Sequence, residues 1–257
     1  RSFGLGTLTT DHRTPMRDRF GGWYVTGRHG ELRHRGNAIA DDRLEEPIDP
    51  ESGANLESLD ELIRTKPYLE PGSDLVALML LEYQSQAHNA LTRASFETRR
   101  ALHYDDVMNR ALKRPADFRS DVTKRRIQSA SEKLVEFLFY SGEFRLTDDL
   151  QGTSDFTRDF QRQGPRDGQG RSLRDFDLKK RMFRYPLSYL IYSDSFGALP
   201  EPAREYVERR ISEVLLGKDH SSAFAHLSDE DRSAIREILQ ETAPALSTRL
   251  FPQSSAD

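Results

Sequence analysis

The chain has 257 residues, enough for one large domain or two small ones, and its 36% hydrophobic and 31% charged residues are the mix of a globular protein with a self-sufficient core. A formal net charge of −4 argues against a general polyanion binder, and no run of about 18 apolar residues offers a membrane span. The absence of cysteine excludes disulfides, zinc–thiolate sites, iron–sulfur ligation and covalent haem attachment within this chain, and it leaves the compartment open.

The first residue is Arg1 rather than methionine, so a processed or trimmed product is expected. Residues 1–37 are glycine-rich, hold the single tryptophan, and carry seven basic residues against three acidic ones. Trp23-Tyr24-Val25-Thr26, bracketed by Gly21-Gly22 and Gly27, reads as one short strand between turns. From Asp41 to Asp74 the sign reverses, with eleven acids against three bases. Ordinary solvation accounts for this alternation, and the sharper reading is that acidic loop and basic arm dock on each other or on neighbouring chains. Residues 55–66 read as a short helix, with Ser58 and Glu61 at capping-box spacing and Leu56, Leu59, Leu62 and Ile63 as its apolar face.

Residues 73–112 then lack glycine and proline altogether. Val76, Met79, Leu80, Tyr83, Ala87, Ala90, Leu91 and Ala94 recur at helical spacing, with Ser73 or Asp74 as N-cap. A second helix is predicted over 120–141, with Val122, Ile127, Ala130, Leu134, Phe137, Leu138 and Phe139 apolar and Gly142 at the C′ position. A loop-rich stretch follows, broken by a short helix at 154–162 and a glycine-rich run at 163–172, the kind of long loop that is functional or mobile. Residues 173–192 read as two helical pieces broken at Pro186, and further helices are predicted over 200–216, ending at Gly217, and over 229–242, capped by Ser228. The tail from Pro252 is expected to fray.

Several side chains invite chemistry. His29 and His34, five apart among glycines and with His12 upstream, could converge on one ion, though no carboxylate or cysteine spacing completes a known site. Glycine loops also hold histidines that merely bond backbone. On the long helix Glu82, Gln86, Asn89, Arg93 and Glu97 form one polar stripe with His88 one residue off it. That stripe reads first as a hydrated face or packing network. If buried, Glu82 and His88 could form a proton-transfer pair, with Arg93 a weaker participant. The HEXXH, G-x-S-x-G, GxGxxG and P-loop patterns are all absent. Residues 166–184 interleave seven basic residues with Phe176, Phe183 and Tyr185, but the aromatics sit at helix-core spacing and the chain is acidic, so no nucleic-acid partner is expected.

Three blocks, TDHRTPMRDRFGGWYVTGRHGELRHRGN (10–37), LEPGSDLVALMLLEYQSQAHNALTRASFETRRAL (69–102) and GPRDGQGRSLRDFDLKKRMFRYPLSYLIYS (164–193), together resemble an uncharacterised family of exported bacterial proteins. Its members tend to carry a c-type haem Cys-x-x-Cys-His segment upstream of the GGWYVTG block. The family has no assigned catalytic residue to carry over. This chain departs from it in having no Cys-x-x-Cys-His, and in having Arg35 where an RHMGN-like sequence would offer methionine. The resemblance implies a periplasmic or otherwise exported protein, with His29, His34 and His12 as remaining axial candidates for haem. Trp23 and Tyr24 would then be the apolar wall or an electron-transfer contact.

The expected architecture is mainly α: an irregular single-domain helical bundle around one long helix, with a glycine-rich N-terminal arm containing one short strand. Residues 1–54 form arm and acidic loop, 55–251 the helical domain and 252–257 the tail. Core positions are expected at Val76, Leu80, Tyr83, Leu134, Phe137, Leu138, Leu190, Ile211, Leu215, Ile235 and Ile238. Three functions follow as expectations: an exported accessory or cytochrome-like subunit of a haem electron-transfer system, a haem-free helical binding or scaffold subunit, and an enzyme with a buried Glu82/His88 site. The expected partners are other protein subunits, a c-type cytochrome among them.

Overall fold

A computed structural model describes residues 9–38 and 49–252. Most of the expected acidic loop (41–48) and the tail from 253 lie outside the described residues. The remainder is mainly helical, with almost no strand and no sheet.

The long helix α1 runs from Leu75 to Ala111, about 55 Å at the usual rise per residue. Of the two candidate caps Asp74 serves: its Oδ1 accepts the Val76 and Ala77 N–H groups at 2.8 and 3.1 Å. All eight of the apolar positions predicted by periodicity are buried. The chain divides into two compact units, and the division falls within α1. The first takes Arg1–Gln84, Gly142–Gln163 and Phe176–Arg184; the second takes Ser85–Ser141, Gly164–Asp175 and Tyr185–Asp257.

In the first unit the expected strand at Trp23–Thr26 shrinks to single-residue bridges, Thr26 with Asp74 and Arg28 with Gln151. The reason is competition from side chains. Asn37 takes both polar groups of Val25, accepting its N–H and donating to its C=O, each at 2.7 Å. Gly27 lies where chains cross closely, since a Cβ there would stand 2.7 Å from Leu75 Cβ and 2.9 Å from the Gln151 carbonyl.

The helix expected over 55–66 is absent, and turns replace it. Asn55 is left-handed at φ 53°, and the Leu59 N–H leaves the segment to donate to Pro71 O at 2.9 Å. Ser58 and Thr65 hydroxyls both donate to the Asp60 carboxylate, so side chains supply the bonds a helix would have made.

α3, Phe156–Arg162, matches expectation and buries Phe160. The helical piece expected before Pro186 is instead a tight reversal. Phe176 and Phe183 bridge in antiparallel fashion with rings stacked at 4.8 Å, and Phe160 lies 5.2 Å from Phe176. Asp177 makes this turn: its Oδ1 accepts the Lys179 and Lys180 N–H groups at 2.9 and 2.7 Å, and Leu178 goes left-handed at φ 57°.

The second unit holds α2 (Asp121–Leu138), α4 (Asp194–Gly197), α5 (Glu201–Leu215), α6 (Asp229–Thr242) and α7 (Pro244–Leu250). α5 packs against α2, α6 and α7. Ser120 caps α2 through Thr123 N–H and also donates to Asp105 at 2.8 Å. Ser228 and Asp231 form a reciprocal capping box on α6. Every expected core residue is buried except Phe137, which is half-buried. Val122 is 59% exposed, because the buried stripe of α2 runs through Thr123, Ile127, Ala130 and Leu134.

The second piece after Pro186 is a four-residue 3-10 turn, Tyr189–Tyr192. The glycine-rich run at 163–172 is irregular but tied down. Asp167 accepts the Gln169 and Arg171 N–H groups at 3.0 and 2.8 Å, Arg171 reaches Glu237 at 2.8 Å, and Gly168 N–H donates to Glu241 at 2.6 Å.

Candidate functional site

The residues singled out in the sequence fall in three places, and the first unit holds most of them. His29 and His34 come together in the glycine loop, ring centroids 4.8 Å apart, with Phe20 edge-on to His34 at 5.8 Å. Both imidazoles are buried. His29 Nε2 accepts the Asn55 N–H at 2.9 Å, which leaves the proton on Nδ1 to donate to Leu32 O at 2.6 Å. Asn55 completes the clasp by accepting the His29 N–H at 2.6 Å and donating to Gly30 O at 3.0 Å. His34 Nδ1 accepts the Gly36 N–H at 3.0 Å. Burial pushes both imidazoles down, His34 to about 4, with the neighbouring His29 adding to that effect.

These contacts bear directly on haem ligation. An axial histidine offers a ring lone pair to iron while its other nitrogen donates to the protein. In His29 the lone pair is given to Asn55 and the N–H to Leu32, so neither ring nitrogen is left over. His12 is also buried, its ring edge-on to Tyr83 at 5.4 Å. The arrangement fits a loop staple and does not fit His29 as a haem ligand. Among the described residues no group of three or more His, Asp or Glu side chains is arranged to hold a metal ion.

The second place is the start of α1. Glu82 is half-buried, its Oε1 accepting the Thr10 hydroxyl at 2.6 Å and its Oε2 lying 3.8 Å from the Arg19 guanidinium. Arg19 is buried and spends its other donors on Thr14 O at 2.7 Å and His12 O at 2.9 Å. Burial raises the Glu82 pKa against the pull of Thr10 and Arg19. Asp11 moves the other way: burial pushes it up, but its bonds from Arg13 outweigh this and hold it low. Glu143 belongs to the same unit. It accepts the Met182 N–H at 2.8 Å, and burial lifts its carboxyl to about 7 against Met182, Arg181 and Arg19.

His88 does not join Glu82. Six residues on, a helix has turned about 240°, so the two side chains leave α1 on different sides. Arg93 and Asn89 are exposed, and the stripe passes into solvent. The proton-transfer pair is therefore not assembled, and Glu82 instead ties the arm to the helix.

The third place is a groove of about 340 Å³ lined by Trp23, Tyr24, Leu59, Ile63, Tyr68 and Pro71, with Glu70 at its edge. Its rings face solvent: Trp23 is 55% exposed, Tyr24 41% and Tyr68 67%. Trp23 and Tyr24 are thus outward-facing, held from behind by Asn37, whose N–H donates to Trp23 O at 2.9 Å and whose side chain holds Val25.

Sequence reading missed Asn37, Asn55, Arg19 and Glu143 as organising residues. Asn37 and Asn55 sit in glycine-rich neighbourhoods where a left-handed asparagine is a fair guess, whereas nothing local distinguishes Glu143 from any other loop carboxylate. Comparison with known protein families, curated proteins and solved structures finds no match for this chain.

Proposed function

We propose that this chain is a haem-free helical accessory subunit that docks another protein through its Trp23/Tyr24 face. The partner expected from the sequence resemblance is a c-type cytochrome or a haem-bearing segment of one, in an exported setting. The observation that carries the reading is the division of labour in the arm: His29 is spent on backbone contacts that hold the loop, while Trp23 and Tyr24 are turned to solvent. Large exposed aromatics on an otherwise satisfied loop are costly unless a partner covers them, and tryptophan and tyrosine are the residues that most often anchor interfaces.

The test is an absorption spectrum with metal analysis on protein purified from its native source, together with the haem content of whatever remains bound to it. The isolated chain is expected to show no Soret band, while the wild-type complex contains a haem-bearing protein that a Trp23→Ala chain fails to retain. His29→Ala should lower the melting temperature and leave the spectrum unchanged. A Soret band with stoichiometric iron in the isolated chain, lost in His29→Ala, would reverse the proposal in favour of a cytochrome-like subunit.

A further inference from the structure

We infer that the aromatic groove of the first unit receives a cationic side chain, arginine foremost, carried next to an apolar residue on an extended segment of a partner protein. This rests on the docking reading above and adds what the docked segment must contain.

Charge sets the first constraint on what the groove can hold. The groove continues into a polar cleft of about 600 Å³, and both share Glu70, Pro71 and Gly72. Four carboxylates line that cleft: Glu57, Glu70, Asp74 and Asp155. Three are already matched. Glu57 pairs with Arg28, Asp155 with Arg158 at 2.7 Å, and Asp74 accepts from Ser154 and from the first turn of α1. Glu70 is exposed and has no ion pair among the described residues. It stands on the lip that the aromatic groove and the polar cleft have in common.

A single unmatched carboxylate beside three outward-facing aromatic rings selects its occupant. A purely apolar segment would strip water from Glu70 and return nothing, and an acidic one would be repelled. A guanidinium satisfies both surfaces, stacking on a ring face while its N–H groups meet the carboxylate. Leu59, Ile63 and Pro71 supply apolar wall for a neighbouring side chain. Beyond Glu70, the exposed side-chain amide of Gln151 offers a donor and an acceptor to an extended backbone. This continuity favours a peptide segment over a lone amine. Arg64 and Lys66 lie in the same loop but do not line the groove.

Trp23 is the only tryptophan, so its emission reports on the groove directly. The probe is acetyl-Gly-Arg-Phe-Arg-Gly-amide, titrated into the full chain beside its Glu-for-Arg and Gln-for-Arg analogues and argininamide. A saturable emission change is expected with the arginine peptide, weakened by salt, about tenfold weaker with the Gln analogue, and absent with the Glu analogue. Glu70→Gln and Tyr68→Ala should each weaken it about tenfold with unchanged far-UV circular dichroism, since both side chains are exposed. An equal response to the Glu analogue, indifference to Glu70→Gln, or no saturation with the arginine peptide at millimolar concentration would overturn the inference. Argininamide binding as tightly as the peptide would overturn the assignment to a segment. A haem-bearing partner still retained by the Glu70→Gln/Tyr68→Ala chain would sink the groove while leaving the accessory-subunit reading intact.

Discussion

Asn37 does more for the arm than any histidine in it. At φ 64° it adopts a left-handed conformation that asparagine tolerates better than most residues, and from there its side chain makes three buried bonds. It accepts from Val25 N–H at 2.7 Å and donates to Val25 O at 2.7 Å and Gly53 O at 2.9 Å. Replacing it with alanine removes all three and leaves both Val25 groups unsatisfied in a buried place, at a cost of about 2–4 kcal/mol. Asn37→Ala should therefore lower the thermal midpoint by several degrees, and Asn37→Asp, which sets a carboxylate oxygen against the Val25 and Gly53 carbonyls, should lower it at least as far at neutral pH. A midpoint unmoved by Asn37→Ala would mean that the Trp23–Val25 segment is held by something else. His29 acts in the same way on a smaller scale, exchanging bonds with Asn55 and Leu32.

Helix ends give the clearest lesson at the next scale. α1, α2 and α5 each finish with a left-handed residue at C′, but only α5 uses glycine there. Lys113 (φ 53°) ends α1, Tyr140 (φ 55°) ends α2 and Gly217 (φ 67°) ends α5, with Arg114, Ser141 and Lys218 N–H groups each closing back on the helix at 2.9 Å. The backbone strain is similar at Lys113 and Tyr140, and burial decides what relieving it would do. Lys113 is exposed, so Lys113→Gly should stabilise by about 0.5–1 kcal/mol, read as a higher denaturant midpoint. Tyr140 is 1% exposed, so Tyr140→Gly relieves the same strain but deletes a buried ring and should destabilise by about 3 kcal/mol or more. Equal signs for the two substitutions would show that the backbone term had been overrated.

For the molecule as a whole, stability against pH is set by groups that pull in opposite directions. The folded pKa of His34 lies at about 4, below its ordinary value of 6.5, and His29 is lowered too. The unfolded chain therefore binds the extra protons, and this contribution is present above pH 6.5 and lost as pH falls towards 4. Glu143 is raised from 4.5 to about 7, and Glu82 is raised as well. There the folded chain binds the extra proton, so that contribution is present below pH 4.5 and lost as pH rises through 7. Between pH 4.5 and 6.5 the two largely offset each other, and the wild-type curve is expected to be shallow. Glu143→Gln keeps an acceptor for Met182 N–H and removes one side of the balance. Its melting temperature should climb with pH across that window and exceed that of wild type at pH 8, where its stability should be greater by on the order of 1–2 kcal/mol once partial exposure is allowed for. Parallel curves for variant and wild type would remove Glu143 from the account.

Periodicity alone determined that this chain is mainly helical, where α1 runs, which of its positions are buried, and where Ser120, Ser228 and Gly217 begin or end helices. Those features are local: each depends on residues within one or two turns, which the sequence displays directly. The failures share a cause as well. Residues 55–66 and 173–185 carry helix-like apolar spacing, yet Asp60 and Asp177 bond nearby hydroxyl or backbone groups, and turns win over a pattern that was ambiguous from the start. The sites were less legible still. Whether Glu82 meets Thr10 and Arg19 or water, whether His29 offers its lone pair to a ligand or to Asn55, and whether Trp23 turns inward or out each depends on residues that lie far apart along the chain or on which way a side chain leaves its backbone. Only tertiary packing decides these, because a side chain's chemistry belongs to its neighbours in space, and a sequence names only its neighbours along the chain.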